Sequence, residues 1–116
     1  MLYKSINPSV IQENLMNNTE MILEFIGLYQ VQIPIDVKAL KEAVASELHN
    51  EISTKAHHIK PTMEYIGALA LREKLQQLES AGKNGTDIAH INTLFLDIEN
   101  EITVLLQEID SYRNKL

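Results

Sequence analysis

The chain has 116 residues, a length for one domain, and 45% of them are hydrophobic with only four glycines and three prolines, so it can bury a core and fold unaided. It contains no cysteine, which excludes a disulfide framework, a thiolate metal site and a cysteine nucleophile. The formal net charge of −6 argues against nucleic acid as a partner, because phosphate backbones are held mainly by lysine and arginine.

The first ten residues, MLYKSINPSV, hold no apolar core of signal-peptide length. No uncharged apolar run approaches the length of a membrane span, so no membrane insertion is expected, and a soluble cytoplasmic protein is. A short helix is expected to open at Pro8, a residue favoured in the first helical turn, with Asn7 as its cap. Next, Ile22, Ile26, Tyr29, Ile33, Val37, Leu40 and Val44 keep a helical phase across Pro34. A proline usually ends or kinks a helix, yet the stripe stays in register on both sides, which favours one long kinked helix from about Asn18 to Leu48 over two helices meeting at Pro34.

Two shorter helices follow. Asn50 is placed to cap one that runs to about Met63, and Gly67 marks the turn into another that runs to about Ala81. Gly82 and Gly85 are read as the break before the last helix, with Thr86 and Asp87 as its caps. There Ile88, Ile91, Phe95, Ile98, Ile102, Leu105, Ile109, Tyr112 and Leu116 alternate steps of three and four along one face. No strand pattern of convincing length and no internal repeat is present. The expected fold is all-α, an antiparallel up-and-down four-helix bundle with a short extra N-terminal helix, residues 1–116 forming a single domain. Such bundles serve many unrelated ends, so function has to be argued from a site.

The stretch AHHIKPTMEYIG, Ala56–Gly67, offers one. Its helix buries Ile52, Ala56, Ile59, Met63 and Ile66, which puts His57 about 140° from the centre of the apolar stripe and so in solvent. Ser53, Lys60, Pro61 and Glu64 are expected on the same surface. His58 is also expected to be exposed, but on the other flank with Lys55, Thr62 and Tyr65, since adjacent residues of a helix do not share a face. An exposed imidazole can attack phosphorus when neutral, and a lysine one turn away can help neutralise the phosphoryl group it accepts. Taken alone, an exposed histidine is more often ordinary solvated surface. A metal site built from His49, His57, His58 and His90 is disfavoured, because His57 and His58 diverge and no His-Glu-x-x-His pattern occurs.

The same stretch resembles the signature of histidine-containing phosphotransfer (HPt) domains. That signature is an alanine, the phosphorylated histidine, any residue, an aliphatic residue, a lysine, usually a glycine, and a further glycine ten residues after the histidine. His57, Ile59, Lys60 and Gly67 fall on the histidine, aliphatic, lysine and later glycine positions. Leu78 and Glu79 look like the family's leucine-glutamate pair near the end of the next helix, and Pro34 has a familiar counterpart. The resemblance runs from about Asn18 to Leu116 and includes the helix order. One position departs from it: Pro61 stands where the glycine four residues after the histidine is usual, and it cannot donate a backbone hydrogen bond to the carbonyl of His57.

The resemblance implies a phosphorelay intermediate in two-component signalling, a phosphotransfer protein with no ATP site of its own. His57 would take a phosphoryl group from the aspartate of one receiver domain and pass it to another, and Lys60 would stabilise the phosphorylated ring. The attacking nitrogen in this family is usually Nε2. The implied partners are response-regulator receiver domains and a hybrid sensor histidine kinase. No cofactor is expected on this chain, the Mg2+ belonging to the receiver. Ser53, Pro61 and Glu64 are the side chains a receiver would touch, Gly67 serves the helix connection, and the chain is expected to be a monomer. The alternative is a helical interaction module that docks a partner without phosphotransfer and is indifferent to His57.

Overall fold

The computed structural model describes residues 3–116. Among these residues there are five helices and no strand: α1 (Pro8–Asn14), α2 (Thr19–Ala45), α3 (His49–Tyr65), α4 (Leu69–Lys83) and α5 (Ile88–Asn114). The side-chain pairs between helices give the topology. Along α2 and α3, Phe25 stacks on Tyr65 and Asp36 faces His58, so one number rises as the other falls. The pairs Glu64–Arg72 and His57–Glu79 show the same for α3 and α4, and Gln30–Asp110 and Lys41–Glu99 for α2 and α5. Each long helix is antiparallel to its neighbours, and the four close into an up-and-down bundle 43 Å long and 22 × 19 Å across. That length is close to the ~40 Å spanned by a 27-residue helix such as α2 or α5.

The apolar stripes face inward as the periodicity requires. Ile22, Ile26, Ile33, Val37, Leu40 and Val44 of α2 meet Ile52, Ala56, Ile59 and Met63 of α3, Leu71, Leu75 and Leu78 of α4, and Ile91, Phe95, Ile98, Ile102, Leu105 and Ile109 of α5. Pro34 lies inside α2, which runs unbroken from Thr19 to Ala45. Asn7 and Asn18 cap α1 and α2, their side chains accepting from Ser9 N and Met21 N at 3.1 Å each.

The three connections that join the long helices share one device. After α2, α3 and α4 a residue with positive φ, respectively Glu47 (57°), Gly67 (73°) and Gly85 (64°), turns the chain. The N–H groups of that residue and the next bond back to the last turn: Glu47 to Val44 O and Leu48 to Ala43 O, Gly67 to Glu64 O and Ala68 to Met63 O, Gly85 to Gly82 O and Thr86 to Ala81 O. These are Schellman closures, which satisfy carbonyls that a helix end leaves open. They also move boundaries from those expected. Leu48 leaves the α2 closure already extended, so α3 opens at His49; Asn50 sits inside the helix instead of capping it. Gly82 is helical and only Gly85 breaks the chain, so α4 extends to Lys83. Asp87 stands at the cap of α5 without a side-chain cap bond.

The N-terminal segment is tied down at both ends. The N–H groups of Lys4, Ser5 and Ile6 donate to the Glu108 carboxylate of α5 at 2.9, 2.8 and 3.1 Å. Asn7 N–H donates to Ile66 O at 3.0 Å, which lays α1 across the end of α3. Gly67 is required there twice over. Its φ favours glycine, and a Cβ would stand 2.6 Å from Asn7 Cβ.

Candidate functional site

The site forms where α3 packs against α4. Gly82 lets the two helices approach closely: a Cβ there would lie 2.8 Å from His49 O and 2.9 Å from Ser53 N. On α4, Gln76, Glu79 and Lys83 follow at steps of three and four, so all three face α3. On α3, His57 and Lys60 are one turn apart on the flank that meets them.

Glu79 is the centre of the arrangement. It is 4% exposed, and its carboxylate receives three side chains. Lys60 Nζ is 2.8 Å from Oε1, His57 Nδ1 is 3.2 Å from Oε1 and 3.3 Å from Oε2, and Lys83 Nζ is 3.3 Å from Oε2. Burial pushes this carboxyl up, but the hydrogen bonds from Lys60, His57 and Lys83 outweigh it and bring its pKa down from the ordinary 4.5 to about 2. Glu79 is therefore an anion across the physiological range, and the ring nitrogen that faces it is held as an N–H donor. His57 itself projects into solvent, its side chain 67% exposed, and among the described residues its Nε2 has no hydrogen-bond partner. A neutral His57 in this setting carries its proton on Nδ1 and presents the Nε2 lone pair outward.

Lys60 departs from its expected place. Its side chain is only 14% exposed, and the ammonium is held between Glu79 and Gln76, whose Oε1 accepts at 2.5 Å. Ser53 departs further: it is 7% exposed, packed under α4 at Gly82, and so is withdrawn from any docking surface. The α4 backbone closes over that turn of α3 because Gly82 has no side chain. Glu64 is exposed and pairs with Arg72 at 2.6 Å, on the next turns away from His57. Pro61 is exposed, and α3 continues through it to Tyr65 although the His57 carbonyl has lost its usual donor. The structure thus brings His57 and Lys60 together, keeps Pro61 and Glu64 on the surface, and removes Ser53.

His58 turns to the other flank. Its Nε2 is 3.7 Å from Asp36 Oδ1 of α2, and its side chain is 68% exposed. His49 Nε2 lies 2.8 Å from Thr86 O, in the connection before α5. Among the described residues no three histidine, aspartate or glutamate side chains converge as a metal site would need. Gln76 and Lys83 were not singled out from the sequence. The available signal was Glu79, a carboxylate on the edge of the α4 apolar stripe with a lysine four residues on, an arrangement that calls for partners on the facing helix.

No family model and no curated protein matches the chain. Among solved structures, it is similar to the HPt domain of a hybrid sensor histidine kinase from Shewanella, with a TM-score of 0.82 and 17% sequence identity over 96% of this chain and 95% of that one. At that identity the likeness speaks for architecture, and it covers nearly the whole of both chains. The bundle described above, with His57 on the outside of its second long helix, has the fold of an HPt domain.

Proposed function

We propose that this chain is a phosphorelay intermediate in two-component signalling and that Nε2 of His57 is its phosphoryl acceptor. The observation that carries the reading is the Nδ1 contact with a buried, ionised Glu79, which leaves Nε2 outermost on an exposed ring. The resemblance of AHHIKPTMEYIG to the HPt signature and the HPt fold support it.

In the forward step the Nε2 lone pair attacks the phosphorus of a receiver's phospho-aspartate. The Nε2–P bond forms, the P–O bond to the aspartate breaks, and the aspartate leaves with the electron pair as a free carboxylate. The ring keeps its Nδ1 proton and becomes cationic, and Glu79 stands opposite that new charge. Attack by a second receiver's aspartate runs the same bonds in reverse. Mg2+ bound by the receiver supplies charge stabilisation at the phosphoryl oxygens. Lys60, Lys83 and His57 keep Glu79 deprotonated, so that it does not strip the ring of its proton. A cytoplasmic location belongs to the same proposal; among the described residues no helix is long and apolar enough to cross a membrane. Pro61 and Glu64 form the exposed rim that a receiver would meet; Pro61, without a long side chain, leaves the approach to the ring open.

The test is incubation with a phosphorylated receiver, followed by detection of an acid-labile label. Label on the wild-type chain and none on His57→Gln supports the reading. No label on the wild type leaves the chain a docking bundle without phosphotransfer.

A further inference from the structure

The Lys60 ammonium has a second partner that the relay chemistry above does not use. Gln76 Oε1 accepts from Nζ at 2.5 Å, and Gln76 Nε2 donates to Ser80 Oγ at 3.2 Å. The direction of this amide is forced, because an ammonium only donates and must meet the oxygen. Ser80, one turn further along α4, fixes the other end. Lys60 is thus gripped at two points, by the Glu79 carboxylate and by an amide that is itself held in place. With the side chain 14% exposed, little water is available to replace either grip.

We infer that Gln76 is a positioning residue for phosphoryl transfer at His57, acting through Lys60; the inference rests on the phosphorelay reading. An ammonium has three N–H groups. Glu79 takes one and Gln76 a second, so the direction of the third is set by the tetrahedral geometry of nitrogen and does not wander. That third N–H is the one left for a phosphoryl oxygen on the adjacent ring. Without the Gln76 acceptor the ammonium turns freely about its bond to Glu79, and the charge that steadies the phosphoryl group is delivered in many directions instead of one. Lys83, on the other oxygen of Glu79, has a side chain 67% exposed and, among the described residues, only this one partner at 3.3 Å, so it cannot replace a fixed cation.

The test needs no receiver. Phosphoramidate, a small phosphoryl donor, loads the histidine directly: its P–N bond breaks, ammonia leaves with the electron pair, and the Nε2–P bond forms. Loading and loss of the label at His57 are followed by 31P NMR in the wild type, Gln76→Leu, Lys60→Met and the double variant, with His57→Gln marking the signal to be assigned. Loss of one fixed hydrogen bond to a charged group predicts that Gln76→Leu changes loading and loss together by about tenfold. In the Lys60→Met background the same substitution should change nothing, since the residue it positions is gone. An equal effect in both backgrounds overturns the inference and makes Gln76 a packing residue. If Gln76→Leu fails to fold, Ser80→Ala keeps the amide but frees its direction, and a smaller, Lys60-dependent change in the same sense is expected; no change overturns the inference. Loading at His57 that depends on Gln76, in a chain that takes no label from any receiver, would overturn the relay reading and leave this inference standing. Receiver transfer that ignores Gln76 does the opposite.

Discussion

His57 and His58 are neighbours on one helix with almost the same exposure, 67% and 68%, and each faces a carboxylate from an adjoining helix. Their surroundings nonetheless give opposite chemistry. On the α4 flank, Glu79 is buried and takes three donors, and it holds His57 by Nδ1, the ring nitrogen nearer the backbone. The outer nitrogen is left facing solvent. On the α2 flank, Asp36 already accepts from Gln32 at 2.8 Å and stands 3.7 Å from His58 Nε2, the outer nitrogen, beyond hydrogen-bond distance. No carboxylate is therefore close enough to fix either nitrogen of His58 as a donor, and its tautomer is left unset. The facing helix, more than the exposure of the ring, sets the two histidines apart, and it is what supports His57 as the proposed acceptor.

The largest effect should come from exchanging the two rings. His57→Gln is expected to abolish phosphoryl acceptance from a phosphorylated receiver, whereas His58→Gln only reduces it. The reverse pattern, read as acid-labile label on each variant, would mean that the α2 flank carries the chemistry.

The carboxylates should separate next. Glu79→Ala leaves Lys60 buried without its counter-charge and should cost about 3–5 kcal/mol in chemical denaturation. Asp36→Ala should cost roughly 1 kcal/mol or less, as an open pair to an exposed histidine does. Glu79→Gln keeps the shape of the side chain and loses the charge, so the phosphoryl-transfer rate should fall about 10- to 100-fold, the worth of one charge-assisted hydrogen bond. Equal stability losses at the two positions would erase the contrast.

Acid offers the same contrast without a mutation on one side. The folded state depresses the Glu79 pKa to about 2 from 4.5, so its contribution is fully present above pH 4.5 and is lost as the pH falls towards 2. The stability removed over that window is on the order of 3 kcal/mol, from the size of the shift. Urea denaturation at stepped pH should show this slope in the wild type and in Asp36→Asn, and lose it in Glu79→Gln. A wild-type slope that survives Glu79→Gln would place the acid sensitivity elsewhere.

Much of this was legible in the sequence. The inward stripes, the Asn7 cap, the start of α2 near Asn18, the unbroken passage through Pro34 and the turn at Gly67 follow from periodicity and backbone chemistry, which act within a few residues. The exposure of His57 and the divergence of His58 follow from 100° per residue in the same way. What periodicity does not carry is the register of one helix against the next. Ser53 read as exposed because its own helix puts it well off the apolar stripe; it is buried because α4 closes on it at Gly82. Lys60 read as part of the exposed surface around His57 for the same reason, and the Gln76 and Glu79 that hold it lie 16 and 19 residues further on. Gly82 read as a chain breaker, yet its use is to remove a side chain from a helix–helix contact.

That reversal gives the smallest and sharpest test of the two flanks. Alanine in place of a helical glycine normally stabilises by up to about 1 kcal/mol, through backbone entropy. Gly27 of α2 has nothing within 4 Å of where a Cβ would stand, so Gly27→Ala should show that gain in thermal or urea denaturation. Gly82→Ala starts with the same gain but drives a methyl into His49 O and Ser53 N, backbone atoms that have no rotamer to yield. Overpacking of this kind costs about 1–3 kcal/mol, so the net change should be destabilising by roughly 1 kcal/mol. Because Glu79 lies one turn before Gly82, any retreat of α4 also draws the carboxylate away from His57 Nδ1, and phosphoryl transfer should slow in Gly82→Ala while Gly27→Ala leaves it unchanged. If Gly82→Ala stabilised the fold as Gly27→Ala does, the close approach of α3 and α4 would not be what holds Glu79 against the ring.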